Sequence, residues 1–492
     1  MVNQRSAAMH EWLSTWRLSW SFACLVVISL LTAAGGAVAA TIVTPVAGPP
    51  PLGPLPGNGA FVPTIDLGRL GYALAEFFVD GVADSYHNVG PLTNDKEWAI
   101  AADGAPQPFK TRIQVIKPIK PRACKGTVFV EWFNVSAQSD FAPDWFLTYA
   151  EQAHQGAVYV GVSAQRIGVA TLQGLFSDRY GSLVHPGDSY SYDVFSQVGQ
   201  ALLDHADILF GQGCAPERLI ATGHSQSGGR LVTYVNAFSS KSPYSGFIPR
   251  GAGANPSAAL RQAPLVPIAV PAPTYITNRN KPVLRWQSQT ESMAARQPDS
   301  KNFRWWEVAG SAHQDVYPKA NDYYDSAEGA TQMFDFMIDP VADLGFGVNC
   351  TSGVNAGPAP WVLHSTFRHM SRWVKYGTPP PSAPRFKTVD GTPTGAFVLD
   401  QYGNVVGGVR TPNVDAPIAT LTGSGNTPAG FCGLFGATIP FSDETLDALY
   451  PTHGVFVSKW AESLFKSVKN GYIVPEDAWR ILLSGVFSNI GK

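Results

Sequence analysis

The stretch "RLIATGHSQSGGRLVTYVNA" (Arg218–Ala237) runs from an apolar segment through glycines and hydroxyls into a helical pattern. A strand that turns into a helix across so few residues tolerates only small side chains at the turn. It holds one residue in a strained backbone conformation above the sheet edge. Such a turn belongs to a mainly parallel sheet with crossover helices, which limits the chain to few architectures. The pattern is G-x-S-x-G with one glycine replaced, and two serines fit it. Ser225 has Gly223 before it and Ser227 after it, whereas Ser227 has Ser225 before it and Gly229 after it. The strand has to stop two residues ahead of the nucleophile. Gly223 stands there for Ser225, while choosing Ser227 draws His224 and Ser225 into the strand end. Ser225 is therefore the favoured nucleophile and Ser227 the alternative. A Ser/Gly-rich loop without chemistry is the bland reading.

The rest of the chain supplies the sheet. "GTVFVEWF" (Gly126–Phe133) and "GAVYVGVS" (Gly156–Ser163) are near-continuous β-branched and aromatic runs, as buried parallel strands are. Between them lies a helical stretch with Asp144 in its first turn and Gly156 as its stop. "TRIQVIKP" (Thr111–Pro118) alternates and reads as a half-exposed strand. Ser191–Gly211 reads as a long amphipathic helix, Val283–Gln289 and Phe303–Gly310 as further strands, and Trp361–Gly377 as a closing helix. The expected fold class is α/β, a mostly parallel central sheet flanked by helices.

A serine hydroxyl is a weak nucleophile until a base takes its proton and a carboxylate orients the base. In this architecture the order is serine, acid, histidine, each on a loop just past a strand. Of ten histidines, His313 in "WWEVAGSAHQD" directly follows a strongly apolar strand and is the expected base. His364 and His369 fall on a helix and read as structural, and His224 beside the nucleophile reads as packing. After "VLRWQSQTES" the first carboxylate is Glu291, the expected acid, with Asp299 the alternative. An oxyanion needs backbone N–H donors from the residue after the nucleophile and from an earlier strand exit. Those are Gln226 and either Phe133 or Asn134.

Composition narrows the function class. The 492 residues are 45% hydrophobic and 15% charged with a net charge of -2. No Lys/Arg run occurs, so nucleic acid is not an expected partner. Residues 1–39 have basic residues, an apolar run Phe22–Ala34 and a small-residue stretch with Ala37-Val38-Ala39, the pattern of a cleaved signal peptide. The run is short for a bilayer span, so secretion or the cell envelope is expected, with an uncleaved anchor as the alternative. Cys124, Cys214, Cys350 and Cys432 read as two structural disulfides in any of three pairings. No metal or organic cofactor is expected. Residues 40–60 form a Pro/Gly-rich arm, 61–378 the core with inserts, and 379–492 a loop-rich and helical extension that is a candidate cap.

Several long segments together, among them "VEWFNVSAQSDFAPDW", "GHSQSGGRLVTYVNA", "QTESMAARQPDSKNFRWWEVAGSAHQDVY" and "GGVRTPNVDAP", resemble the bacterial "alpha/beta hydrolase domain" family, often seen in actinobacteria. The resemblance covers roughly residues 60 to 485. It implies an α/β-hydrolase core with a serine hydrolase triad that falls on Ser225, Glu291 and His313. The family's elbow is also G-x-S-Q-S. The expectation is an exported serine hydrolase, a carboxylesterase acting on a small-molecule or lipid-like ester through an acyl-enzyme on Ser225. The alternatives are a lipase or cutinase-like polyester hydrolase, and a non-catalytic envelope binding protein that keeps the fold. The oligomeric state is left open.

Overall fold

The computed structural model describes residues 41–50, 65–253, 271–317, 327–345, 348–428 and 430–492. The expected signal segment 1–39 and most of the Pro/Gly-rich arm lie outside the described residues. Within the arm, Ile42–Pro45 is a strand, β1, paired antiparallel to β2 (Tyr72–Asn88).

Nine strands form one sheet in the order β1-β2-β3-β5-β4-β6-β7-β8-β9. β3 is Ile100–Pro118, β4 Thr127–Trp132, β5 Val158–Val162 and β6 Arg218–His224. β7 is Gly246–Arg250, β8 Val283–Gln287 and β9 Phe303–Glu307. From β5 through β9 every neighbouring pair is parallel, while β1, β2 and β3 join antiparallel at one side. The parallel strands are buried along their whole length, apart from Arg304 in β9. Helices on both faces explain why the sequence there lacks alternation.

β3 departs from the sequence reading. Its segment Thr111–Pro118 is buried except at Lys117, although it alternates. The polar positions face an internal ion network: Arg112 pairs with Glu76 at 3.3 Å and with Asp140 at 2.9 Å, and Gln114 donates to Glu76. A buried polar face produces the same alternation as a solvent face.

Helix α1 (Pro143–His154) connects β4 to β5. The insert after β5 folds into α2 (Arg166–Leu175), α3 (Ser177–Tyr180) and α4 (Ser191–Asp204). A short α5 (Ala206–Leu209) precedes β6, and α6 (Gln226–Phe238) follows it. Disulfides join Cys124 to Cys214 and Cys350 to Cys432, one of the three pairings the sequence permits. Residues Ala39–Lys492 make one compact unit. In it the C-terminal extension contributes a hairpin, Ala419–Thr422 with Ala437–Pro440, and buries Phe456, Trp460 and Leu464 in the common core. No helix among the described residues is long and apolar enough to cross a membrane.

Candidate active site

β6 delivers Ser225 at the C-terminal edge of the parallel strands, and α6 begins one residue later. Ser225 has φ 60° and ψ -118°, and it is one of two described non-glycine residues with positive φ. That conformation is costly for a residue with a side chain, and it persists only where the surroundings enforce it. The surroundings do so here. The Ser225 N–H donates to the carbonyl of Arg250 at the end of β7, at 2.9 Å. A Cβ on Gly228 would stand 2.6 Å from the same carbonyl oxygen, and one on Gly223 would stand 3.0 Å from the Ser227 backbone. Small residues are thus a steric requirement of this turn.

The two serines separate cleanly. The Ser227 hydroxyl is buried and folds back into the turn, donating to the His224 carbonyl at 2.9 Å and accepting the His224 N–H at 3.1 Å. The Ser225 Oγ instead lies 2.8 Å from Nε2 of His313.

His313 sits on the loop after β9, and its Nδ1 is 2.5 Å from Oε1 of Glu291, on the loop after β8. With the Nδ1 proton directed at the carboxylate, Nε2 is left as the acceptor for the Ser225 hydroxyl. The other carboxylate oxygen of Glu291 takes the Ser288 N–H at 2.5 Å. Burial pushes the Glu291 carboxyl up, but the hydrogen bonds and charge of His313, together with Ser288, outweigh it and hold the group below its usual range. Asp299 is placed elsewhere, accepting from Trp305 N–H and pairing with Arg385 at 2.6 Å. His364 pairs with Asp477 at 2.7 Å, inside the helical region.

The expected second oxyanion donor needs correction. The Phe133 N–H is bonded to the Val162 carbonyl at 3.2 Å and the Asn134 N–H to the Phe141 carbonyl at 2.9 Å, so neither is available. The Asn134 side chain ties this loop to the elbow, donating to the His224 carbonyl at 2.9 Å. The next residue, Val135, is buried, and its N–H carries no hydrogen bond among the described residues. Gln226 opens α6, where first-turn N–H groups lack intrahelical acceptors.

The site has further contacts, and apart from those of Gln165 strand exits alone do not point to them. The His224 ring packs 4.5 Å from that of His313, and its Nε2 lies 3.1 Å from the Gln314 amide nitrogen. Burial, then the charges of Arg250 and His313, push the His224 imidazole well down, so it stays neutral. Arg250, whose carbonyl holds Ser225, pairs with buried Asp144 at 2.6 Å. Gln165 accepts from Trp132 and from Gln226. It could have been found, since it follows the exit of β5. The hydroxyl of Thr290 accepts the His313 N–H at 2.9 Å, a contact that no local pattern signals.

A sheet of this order, with a serine on the strand-to-helix turn and a histidine and carboxylate on the loops after the last two strands, defines the class of α/β-hydrolase-fold proteins. Within that class, the chain belongs to the family described as "Alpha/beta hydrolase domain", whose model matches residues 46–482. No curated protein sequence matches it. Solved structures to which it is similar include prolyl oligopeptidase B from Galerina marginata, at 10% identity and TM-score 0.23, covering 44% of this chain and 35% of that one. Methylesterase BT1017 is similar at 13% identity and TM-score 0.27, covering 51% of this chain and 45% of that one. A dienelactone hydrolase from Anabaena variabilis is similar at 13% identity and TM-score 0.23, covering 36% of this chain and 68% of that one. The chain thus spans less than half the length of the first two, and no substrate carries over from any of them.

Proposed function

We propose that the protein is an exported serine hydrolase, a carboxylic ester hydrolase that works through an acyl-enzyme on Ser225. The observation that carries this reading is the continuous hydrogen-bonded line from the Ser225 hydroxyl through the His313 imidazole to the Glu291 carboxylate, at 2.8 and 2.5 Å. Ser225 Oγ attacks the ester carbonyl while its proton passes to His313 Nε2. Glu291, kept ionised, stabilises the imidazolium that forms and fixes the ring. The tetrahedral oxyanion is received by the Gln226 N–H and, from the loop tied to the elbow by Asn134, by the Val135 N–H. His313 then returns the proton to the leaving alcohol, and a water attacks the acyl-enzyme by the same route. Export is supported by the apolar N-terminal segment and by two disulfides, which persist in oxidising compartments.

The test is fluorophosphonate labelling of the mature protein beside Ser225→Ala and Ser227→Ala, with turnover of a short-chain p-nitrophenyl ester in the same samples. Labelling and turnover are expected to vanish in Ser225→Ala and to survive in Ser227→Ala at a reduced rate. A wild type that neither labels nor turns over overturns the reading in favour of a binding protein.

A further inference from the structure

The C-terminal extension reaches the two loops that carry Glu291 and His313. The described residues of the loop between its hairpin strands, 423–428 and 430–436, bond each of them once. Toward the acid loop, the Thr290 hydroxyl donates to the Gly423 carbonyl at 2.6 Å. Toward the base loop, the Gln314 N–H donates to the Leu434 carbonyl at 2.9 Å. The approach is close enough to require glycine: a Cβ on Gly423 would lie 2.6 Å from the Gln289 Cβ, and one on Gly436 would lie 2.8 Å from the Ala312 Cβ. Asn355 completes the contact, donating from its side chain to the carbonyls of Gly310 and Thr422, both at 3.1 Å. The Cys350–Cys432 disulfide then ties the hairpin loop to the main body.

Thr290 is the joint of this assembly. A hydroxyl has one proton, and here it is directed at Gly423, which leaves a lone pair for the His313 N–H. The C-terminal hairpin therefore fixes the direction of the hydroxyl that holds the backbone of the base. We infer that Thr290 is a positioning residue for His313 and that the hairpin-loop positions Gly423 and Leu434 form a fixed strut behind the site, rather than part of a cap that moves over it. The inference rests on the serine hydrolase reading for its consequence in rate, and on the geometry alone for its consequence in structure.

Thr290→Val removes both hydrogen bonds at nearly constant shape, and Thr290→Ser keeps them. Two readouts apply. In ester turnover, Thr290→Val should lower kcat by about 10- to 100-fold with KM within about two-fold, and Thr290→Ser should restore most of the rate. Active-site titration with fluorophosphonate corrects for folded fraction. In proton NMR, which needs no substrate, the low-field resonance of the Nδ1 proton between His313 and Glu291 should shift or broaden in Thr290→Val and not in Thr290→Ser. If the wild type has no activity but this resonance moves as stated, the strut stands and the hydrolase reading falls. An unmoved resonance in Thr290→Val, or equal losses in the Val and Ser variants, overturns the inference. Should Thr290→Val fail to fold, Cys432→Ser provides the same NMR test by releasing the strut from the other side, and an unchanged resonance there counts against it.

Discussion

At the scale of single residues, the site shows burial set against hydrogen bonding. Glu291 and Asp315 are both buried carboxyls on loops after adjacent strands, yet they go opposite ways. Glu291 has the His313 ring and the Ser288 N–H and is held low. Burial pushes Asp315 up to about 7, against the Tyr317 N–H and the charge of Arg250, which are too little to offset it. In the unfolded chain such a group ionises near pH ~4. Between about pH 4 and 7 the folded state therefore holds a proton that the unfolded state has lost, and stability falls as pH rises through that window, by about 4 kcal/mol, then levels off. Asp315→Asn has no such proton, so the difference in melting temperature between wild type and variant should change across pH 4–7 and be flat above it. Parallel profiles would mean that Asp315 is ionised in the folded protein throughout.

At the scale of elements, the strand-to-helix turn is the most constrained feature. Gly228→Ala puts a methyl 2.6 Å from the backbone oxygen of Arg250, which cannot move without releasing the Ser225 N–H. The variant should lose about 1–3 kcal/mol by denaturant melting, with activity falling alongside. Gly174, in α2 with nothing within 4 Å of where a Cβ would stand, serves as the control: Gly174→Ala should gain up to about 1 kcal/mol. This turn was also what the sequence made most legible, because its steric demands appear directly as glycines and serines. The parallel strands are legible for a related reason, since burial on both faces leaves continuous apolar runs. β2 is not, because its 17 residues carry buried Glu76 and Ser85 among apolar neighbours and have no clean period. The juxtaposed Glu291 and His313 are legible from their order after strands. Their supports, Thr290 and Gln314, are not, because their partners Gly423, Leu434 and His224 are remote in sequence.

At the scale of the whole molecule, long-range ties close the structure around the sheet. The Cys124–Cys214 disulfide spans 90 residues and joins the approach to β4 with the approach to β6, the strand that ends at Ser225. A Cys124→Ser/Cys214→Ser variant should lose about 4 kcal/mol, read as a lower midpoint in urea. An unchanged midpoint would show that the unfolded chain is not constrained by this link. Arg368 pairs with Glu151 at 2.6 Å and with Glu476 at 2.5 Å, fastening α1, the helix Ala359–Tyr376 and the last helix together. The hairpin that holds the acid and base loops comes late in the chain. A polypeptide synthesised from its N-terminus therefore presents the serine, the carboxylate and the imidazole well before Gly423 and Leu434 exist to set them in register. A nascent chain halted between the two carries Ser225, Glu291 and His313 but lacks the Gly423 and Leu434 carbonyls to which Thr290 and Gln314 donate.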